Sequence, residues 1–332
     1  MNDDTTPERT HSFYNLTPER ILAAVETSGL TCTGTCYALN SYENRVYEVE
    51  VKEASGSLGR RIVKFYRHGR WSDDAILEEH AFLLALVAEE LAVAAPEPLA
   101  DGQTLQHSAS TGIPFAIFPK IIGRARDELD ERALRPLGHL LARIHNVGRS
   151  SSFQHRPNFD VETLGYKSLR AILDSQSLPE HLQQGYEAIV TQLLTAIEPQ
   201  FNAVSVQRVH GDFHLGNLIW QGDLPTCIDF DDMGTGPVVQ DLWMIVPERD
   251  DESRRKFDIL VQSYELLGLL NRDSLRLIEP LRTLRMIRYA AWILSHREDP
   301  SFARAFPSFG TEQYWAQHMQ DLREQGEVLG LY

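Results

Sequence analysis

The sequence predicts an α+β protein of two lobes, a small β-rich lobe over about residues 1–120 and a larger helical lobe over 121–332. Three observations lead there. Between residues 37 and 122 the apolar residues fall mostly into alternating or compact runs suited to strands, with one helical stretch among them. Beyond Gly123 they step by three and four, the spacing of one helix face. A unit rich in Gly and Asp near residue 210 interrupts the helical part with two short apolar runs. A chain of 332 residues suffices for two packed cores.

Each element has a local reason. After a polar, frayed start, Thr17 and Pro18 form an N-cap and first helical position, and Gly29 stops that helix. Tyr47, Val49 and Val51 alternate with Glu48 and Glu50, as in a half-buried strand. A turn-rich piece from Ala54 to Gly59 leads to RRIVKFY, which completes a hairpin. Ile76 to Leu91 has helical spacing, ended by Pro96 and Pro98. PFAIFPKII, residues 114–122, reads as another strand. Leu134, Leu137, Leu141 and Ile144 share a helix face, and residues 160–200 read as further helices. VQRVHGDFHLGNLIWQGDLPTCIDFDDMGTGP gives loop, strand, turn and strand, and the chain from Val239 onward is mostly helical.

Composition narrows the class of partner. Lys and Arg number 32 against 47 Asp and Glu, a net charge of -15, so nucleic acid and anionic membrane surfaces are repelled on average. A nucleotide is not excluded, because one phosphate chain needs only a local patch and a divalent cation. Residues 1–122 hold 10 Lys and Arg against 17 Asp and Glu, so both lobes are acidic. The three cysteines, Cys32, Cys36 and Cys227, make no disulfide framework, and the pair in TCTGTC misses the C-x-x-C spacing. That usage, the acidic N-terminus and the lack of an apolar run of membrane-spanning length predict a cytoplasmic protein without a membrane partner.

The chemistry-bearing stretch is His210-Gly211-Asp212-Phe213-His214-Leu215-Gly216-Asn217, followed after a hairpin by Ile228-Asp229-Phe230. Two carboxylates and an amide on adjacent loop ends can share their work: one carboxylate and the amide face a divalent cation, and the other carboxylate accepts a proton. His210 and His214 have the spacing of H-E-x-x-H, but that zinc motif needs a helix and the glycines oppose one. The competing structural reading makes Asp212 and Asn217 turn caps and the histidines core filling. The joint spacing of His, Asp, Asn and a second Asp after a hairpin weighs against it.

HGDFHLGN with IDFDD resembles the catalytic and metal loops of the aminoglycoside phosphotransferase and choline kinase superfamily, which shares the protein-kinase fold. Asp212 to Asn217 keeps the five-residue step of the kinase H-R-D-x-x-x-x-N signature. LNSYENRVY at 39–47, VKFYR at 63–67, ILEEH at 76–80, AAPEP at 94–98, VHGD at 209–212 and GPVVQDLWM at 236–244 are similar to the bacterial stress response kinase A family over nearly the whole chain. The resemblance implies a kinase-like bilobal fold and a set of roles. Asp212 and Asp229 are the catalytic pair, Asp212 orienting or deprotonating the attacking hydroxyl. Asn217 and Asp229 hold Mg²⁺. Lys64 contacts the α- and β-phosphates of ATP, held by a carboxylate of the next helix, Glu79 in preference to Glu78. Ser41 in NSYEN takes the place of a glycine-rich phosphate loop, and Phe118 to Gly123 form the hinge. His210 and Asp241 support the catalytic loop, and His145 is a packed core histidine. Asp231 and Asp232 read as solvated loop acids, and Trp243, Tyr289 and Trp292 as core or cleft walls.

The implied activity is Mg²⁺-dependent transfer from ATP to Ser or Thr of a protein, with autophosphorylation and a role in stress response, by a monomer. A kinase for a small molecule of choline, homoserine or aminoglycoside type is the alternative, and a catalytically weak nucleotide-binding scaffold the second. Too few residues separate Asp229 from Gly236 for a long activation loop. The surplus acidity predicts a preference for basic peptides or cationic small molecules.

Overall fold

The computed structural model describes residues 13–332 apart from Asn15 and Ala203. The polar start, up to residue 12, lies outside the described residues. Helix α1 (Pro18–Thr27) follows Thr17, and Gly29, at φ +94°, turns the chain into β1 (Thr31–Ala38). Strands β2 (Arg45–Lys52), β3 (Leu58–Phe65), β4 (Gln106–His107) and β5 (Pro114–Pro119) complete an antiparallel sheet of order β1-β2-β3-β5-β4. Period-two alternation then sorts the side chains by face. Tyr47, Val49, Val51, Val63 and Phe65 pack with Ile21 and Val25 of α1. The intervening Val46, Glu48, Ile62 and Lys64 line a cleft on the opposite face. Strand β1 begins six residues before the alternation that the sequence shows from Tyr37. Its TCTGTC segment lies at a sheet edge, half exposed and bulged between Cys32 and Cys36, so it carries no apolar alternation to read.

Helix α2 (Asp73–Ala88) starts three residues before the predicted point because Ser72 accepts a hydrogen bond from the Ala75 N–H. It is buried on more than one side, since Ile76, Phe82, Leu83 and Leu86 join a core shared by both lobes. The helical lobe contributes α3 (Glu131–Gly148) to that core, and all four residues predicted for its inner face are fully buried. A single π-helical turn (Val161–Tyr166) leads to α4 (Lys167–Asp174) and α5 (Glu180–Phe201). Strands β6 (Gln207–Val209) and β9 (Gly234–Gly236) pair with each other, as do β7 (Leu218–Gln221) and β8 (Leu224–Cys227). After them come α6 (Val239–Trp243), α7 (Asp251–Glu265), α8 (Ile278–Ser295), α9 (Phe302–Ala305) and α10 (Glu312–Val328). A second core, with Tyr186, Leu193, Leu284, Ile287 and Trp315, binds α5, α8 and α10 together. Among the described residues no helix is long and apolar enough to cross a membrane.

Two polar ties set the positions of functional loops. Asp241 of α6 is fully buried and accepts from the backbone N–H groups of His210 and Gly211 at 2.7 and 2.8 Å, while its Oδ2 lies 2.9 Å from His145 Nε2. His145 in turn meets the Tyr264 hydroxyl at 2.9 Å, so one carboxylate joins α3, α6, α7 and the loop after β6. The second tie joins the lobes. Arg67, just beyond β3, donates to both oxygens of Asp299 at 3.0 and 2.9 Å, and Tyr14 donates to the same carboxylate. Trp292 and His296 on α8 and Phe306 after α9 surround Tyr42 of the loop between β1 and β2.

Removing Asp241 with Asp241→Ala would leave three buried partners without an acceptor, and should cost about 3–5 kcal/mol in chemical denaturation. The second tie depends on pH. Burial pushes the Asp299 carboxyl up, but the Arg67 and Tyr14 hydrogen bonds and the Arg67 charge hold it below its ordinary value. The stability it contributes is therefore complete above about pH 4, the unfolded value, and is lost as pH falls through the lowered one. Asp299→Asn should lower stability at neutral pH by about 1–2 kcal/mol. Its difference from wild type should shrink as pH drops below about 4, read from thermal melts across that range; a pH-independent difference would contradict this account.

Candidate active site

The cleft between the lobes has a volume of about 710 Å³, and the β-lobe roofs it with Val46, Glu48, Ile62 and Lys64. Lys64 is only 6% exposed. Its Nζ lies 3.0 Å from Asp231 Oδ1, 3.3 Å from Asp229 Oδ1 and 3.6 Å from Glu79 Oε1. Burial alone would lower the lysine's pKa, but Asp231, Glu79 and Asp229 together raise it well above its ordinary value, so Lys64 stays charged. Glu79 is itself held by Arg156 at 2.8 Å, and Asp231 by Arg70 at 2.9 Å. The cluster thus sets Lys64, Arg70 and Arg156 against Glu79, Asp229 and Asp231. Glu78 points elsewhere, accepting from the backbone of Gln154 and His155.

The floor is the loop from His210 to Asn217. Gly211 sits at φ +87°, and a Cβ there would come within 2.3 Å of the Asp232 carbonyl, so only glycine lets this loop and the 229–232 turn approach. His210 is fully buried, with Nδ1 accepting from the Asp212 N–H and Nε2 facing the Ile228 carbonyl, which makes it a brace between the two loops. Asn217 donates its Nδ2 to the Asp212 carbonyl at 3.0 Å, and its own carbonyl accepts from Ile228 N–H at 3.0 Å. Asp229 adopts φ +58°, a left-handed conformation that a non-glycine residue enters only when its surroundings impose it.

Asp212 is bracketed by Arg285 Nη1 at 2.9 Å and His214 Nε2 at 3.2 Å. Burial pushes its carboxyl up, yet the His214 hydrogen bond and the Arg285 charge outweigh burial and hold it far below the carboxylate range. It is therefore ionised at neutral pH and a weaker proton acceptor than a free carboxylate. A carboxylate of this kind can fix the direction of a hydroxyl more readily than it can take the hydroxyl's proton.

The loop of residues 40–44 closes the outer mouth. Ser41 lines the cleft, Trp292 Nε1 donates to Glu43 Oε2 at 2.8 Å, and Arg67 binds the Glu43 and Tyr42 carbonyls. Pro119, Lys120 and Ile121 line the side where the chain passes between lobes. The cleft thus brings Ser41, Lys64, Glu79, Asp212, Asn217 and Asp229 to one cavity. The acids after Phe230 differ from expectation. Asp231 is 3% exposed and Asp232 contacts Arg70 at 2.8 Å and Arg288 at 3.1 Å, so neither is a solvated loop acid. Buried guanidinium and ammonium groups require these partners. Trp243 belongs to the core, and Tyr289 and Trp292 to the cleft wall.

Arg70, Arg156, Arg285 and Arg288 were not singled out by motif. Arg156 lies in a segment with no element of its own, and nothing local marks it. Arg282, Arg285 and Arg288 do recur every three residues along α8, a stripe visible in RTLRMIR once that helix is placed.

The model of the phosphotransferase enzyme family matches residues 36–278. "Stress response kinase A" of Shigella flexneri is 36% identical over 321 residues, covering 96% of this chain and 95% of that protein. Its counterpart in Escherichia coli (strain K12) is also 36% identical over 321 residues, with the same coverage. "Serine/threonine protein kinase RdoA" of Salmonella typhimurium is 35% identical over 332 residues, 99% of this chain and 97% of that one. Among solved structures, the amicoumacin kinase hAmiN aligns with a TM-score of 0.75 at 17% identity, covering 95% of this chain and 96% of that one. A microcompartment-associated aminopropanol kinase aligns at 0.71 and 20% identity, covering 94% and 99%. Those likenesses show the kinase-like bilobal fold. The chain belongs to the phosphotransferase enzyme family, and it is an ATP-dependent phosphotransferase of the stress response kinase A kind.

Proposed function

We propose that the chain transfers the γ-phosphoryl group of ATP to a Ser or Thr hydroxyl of a protein, itself included, in a response to stress. The observation that carries the reading is Lys64, a buried cation shared between Glu79 of α2 and Asp229 of the turn opposite, in the same cavity as an ionised Asp212. The protein acceptor is supported by the 35% identity, over 99% of this chain, to the Salmonella serine/threonine protein kinase RdoA. All the proposed groups come from one polypeptide, so the site needs no second copy, and the reading keeps the enzyme a monomer of the cytoplasm. It divides the lobes at residues 120 and 121, inside the hinge.

Asn217 and Asp229 fit Mg²⁺ by donor type. Both offer oxygen, the Asn217 Nδ2 is committed to Asp212, and the Asp229 side chain is half exposed to the cleft. A hard cation takes such oxygens and completes its shell with phosphate and water. When bound, Mg²⁺ offsets the charge that develops on the phosphate oxygens. Lys64 positions the α- and β-phosphates, with Glu79 and Asp231 holding the ammonium in place. The backbone of residues 40–44 and the Ser41 hydroxyl cover the phosphates. Asp212 orients the acceptor hydroxyl for in-line attack; the new P–O bond forms as the bond to the β-phosphate oxygen breaks and ADP leaves with that electron pair. Because the transition state is loose, the hydroxyl proton need not leave early; it passes to Asp212 once the P–O bond is largely formed and from there to solvent, which a carboxylate of weak basicity can still do.

With labelled ATP and Mg²⁺, the wild-type protein should label itself and a generic protein substrate. Asp212→Asn should lower kcat by about 10²–10⁴-fold while ATP binding, measured by calorimetry, is retained. Labelling of choline-like or aminoglycoside compounds alone would refute the protein-kinase reading. Lys64→Met should abolish transfer without unfolding the protein, because Glu79 keeps Arg156 and Asp231 keeps Arg70. Activity within a few-fold of wild type in Lys64→Met would remove the lysine from the mechanism.

A further inference from the structure

Beyond Asp212 the cleft is walled by α8. Leu164, Leu281, Tyr289 and Trp292 supply apolar and aromatic surface, with the Tyr289 and Trp292 rings stacked. The charged groups of α8 that face the cleft are Arg285 and Arg288, 46% and 35% exposed at their side chains. The carboxylates they meet are already engaged. Arg285 Nη1 lies 2.9 Å from Asp212, and Arg288 Nη2 lies 3.1 Å from Asp232, whose same oxygen is 2.8 Å from Arg70 Nη2. Among the described residues neither α8 guanidinium has a second carboxylate. Each has five N–H donors in a planar fork, so one such contact leaves donors available to a ligand.

We infer that the acceptor is anionic beside its hydroxyl: a Ser or Thr flanked within one or two residues by an acidic side chain, which Arg288 reads. This rests on the protein-kinase reading above. Three residues along α8 rise by about 4.5 Å, so Arg288 follows, just under one helical turn on, the Arg285 that touches Asp212. An extended peptide advances about 3.3 Å per residue. A peptide whose hydroxyl sits at Asp212 and that runs along α8 toward Trp292 brings a side chain one or two positions along to Arg288, which lines the same cavity. A cationic acceptor would meet two guanidinium groups there and find Asp212 and Asp232 already paired. The whole-chain charge of -15 does not oppose this, because charges beyond a Debye length of about 8 Å are screened and the local groups decide. The expected preference for basic peptides or cationic small molecules is thereby reversed.

Three peptides of equal length, with the acceptor Ser flanked by Glu, by Ala or by Arg, test the inference with the full-length protein and Mg-ATP. The Glu peptide should exceed the Arg peptide in kcat/KM by about 10-fold or more, the worth of one charge-assisted contact. Arg288→Glu should reverse that order, Arg288→Gln should narrow it and Arg288→Lys should keep its direction. The KM for ATP should stay constant in all three, and since Asp232 keeps Arg70 the Gln and Lys variants should melt close to wild type, so that they carry the test if Arg288→Glu, whose new carboxylate faces Asp232, is destabilised. Equal or better use of the Arg peptide by the wild type would overturn the inference. So would Arg288 variants that raise the KM for ATP while leaving the peptide ratio alone, since Arg288 would then serve the nucleotide. Labelling of a generic protein with no discrimination among peptides defeats this inference only; labelling of an amino alcohol and of no protein or peptide defeats the protein-kinase reading with it.

Discussion

The buried ammonium of Lys64 is the constraint on which the rest of the cleft depends. An uncompensated charge at that depth would cost several kcal/mol, so the lysine can lie under the sheet only if carboxylates are brought to it. They arrive from two directions, Glu79 from α2 and Asp229 with Asp231 from the turn after β8. Neither direction is complete alone. Arg156 then fastens the arrangement, bonding the Glu79 carboxylate at 2.8 Å and the Asp231 carbonyl at 2.6 Å. Sheet, helix and turn must therefore be correctly placed together before any one of the charges is satisfied.

The outer mouth obeys the same logic through different chemistry. Residues 40–44 contain no glycine-rich run, and they are held from outside: the Glu43 and Tyr42 carbonyls by Arg67, the Glu43 carboxylate by Trp292 Nε1 and the Tyr42 ring by aromatic packing. A phosphate loop that lacks glycines gives up the freedom to fold over its ligand unaided. Here the C-terminal helices supply the restraint, and α8 does two jobs: its Trp292 end holds the nucleotide loop and its Arg285 end holds Asp212. Donor side and acceptor side are thus fixed to one rigid element.

Much of this could be read along the chain, and the limits have physical causes. Local signals were sufficient where one residue determines local geometry: Pro18 starting α1, Leu134 to Ile144 marking the face of α3, the alternation in β2, and the spacing from Asp212 to Asn217. The choice of Glu79 over Glu78 agrees with the pairing to Lys64, although the two adjacent acids differ only in which side of α2 they occupy. What escaped was set by long-range pairing. Asp231 looked like a loop acid because its partners, Lys64 and Arg70, lie more than 150 residues earlier. Arg156, in a segment without periodicity, has no local signature at all. Strand β1 was legible only from Tyr37 because a bulged edge strand buries little.

The net charge of -15 shows why composition bounds a function without specifying it. Averaged over the chain, the surplus of acid argues against polyanions, and extended to the cleft it would argue for cationic ligands. The cleft does not follow the average. Lys64, Arg70 and Arg156 offset Glu79, Asp229 and Asp231 among the buried groups, and Arg285 and Arg288 offset Asp212 and Asp232 at the acceptor wall. A site balanced in this way carries little net charge until its ligands arrive, so the sign of its preference is decided by which groups retain open valence. The carboxylate with most exposure is Asp229, on the side proposed for the metal, while Arg285 and Arg288 of the acceptor wall are both partly exposed. An open carboxylate and open guanidinium groups in one cleft thus offer the metal and the acceptor different charges before any shape is recognised.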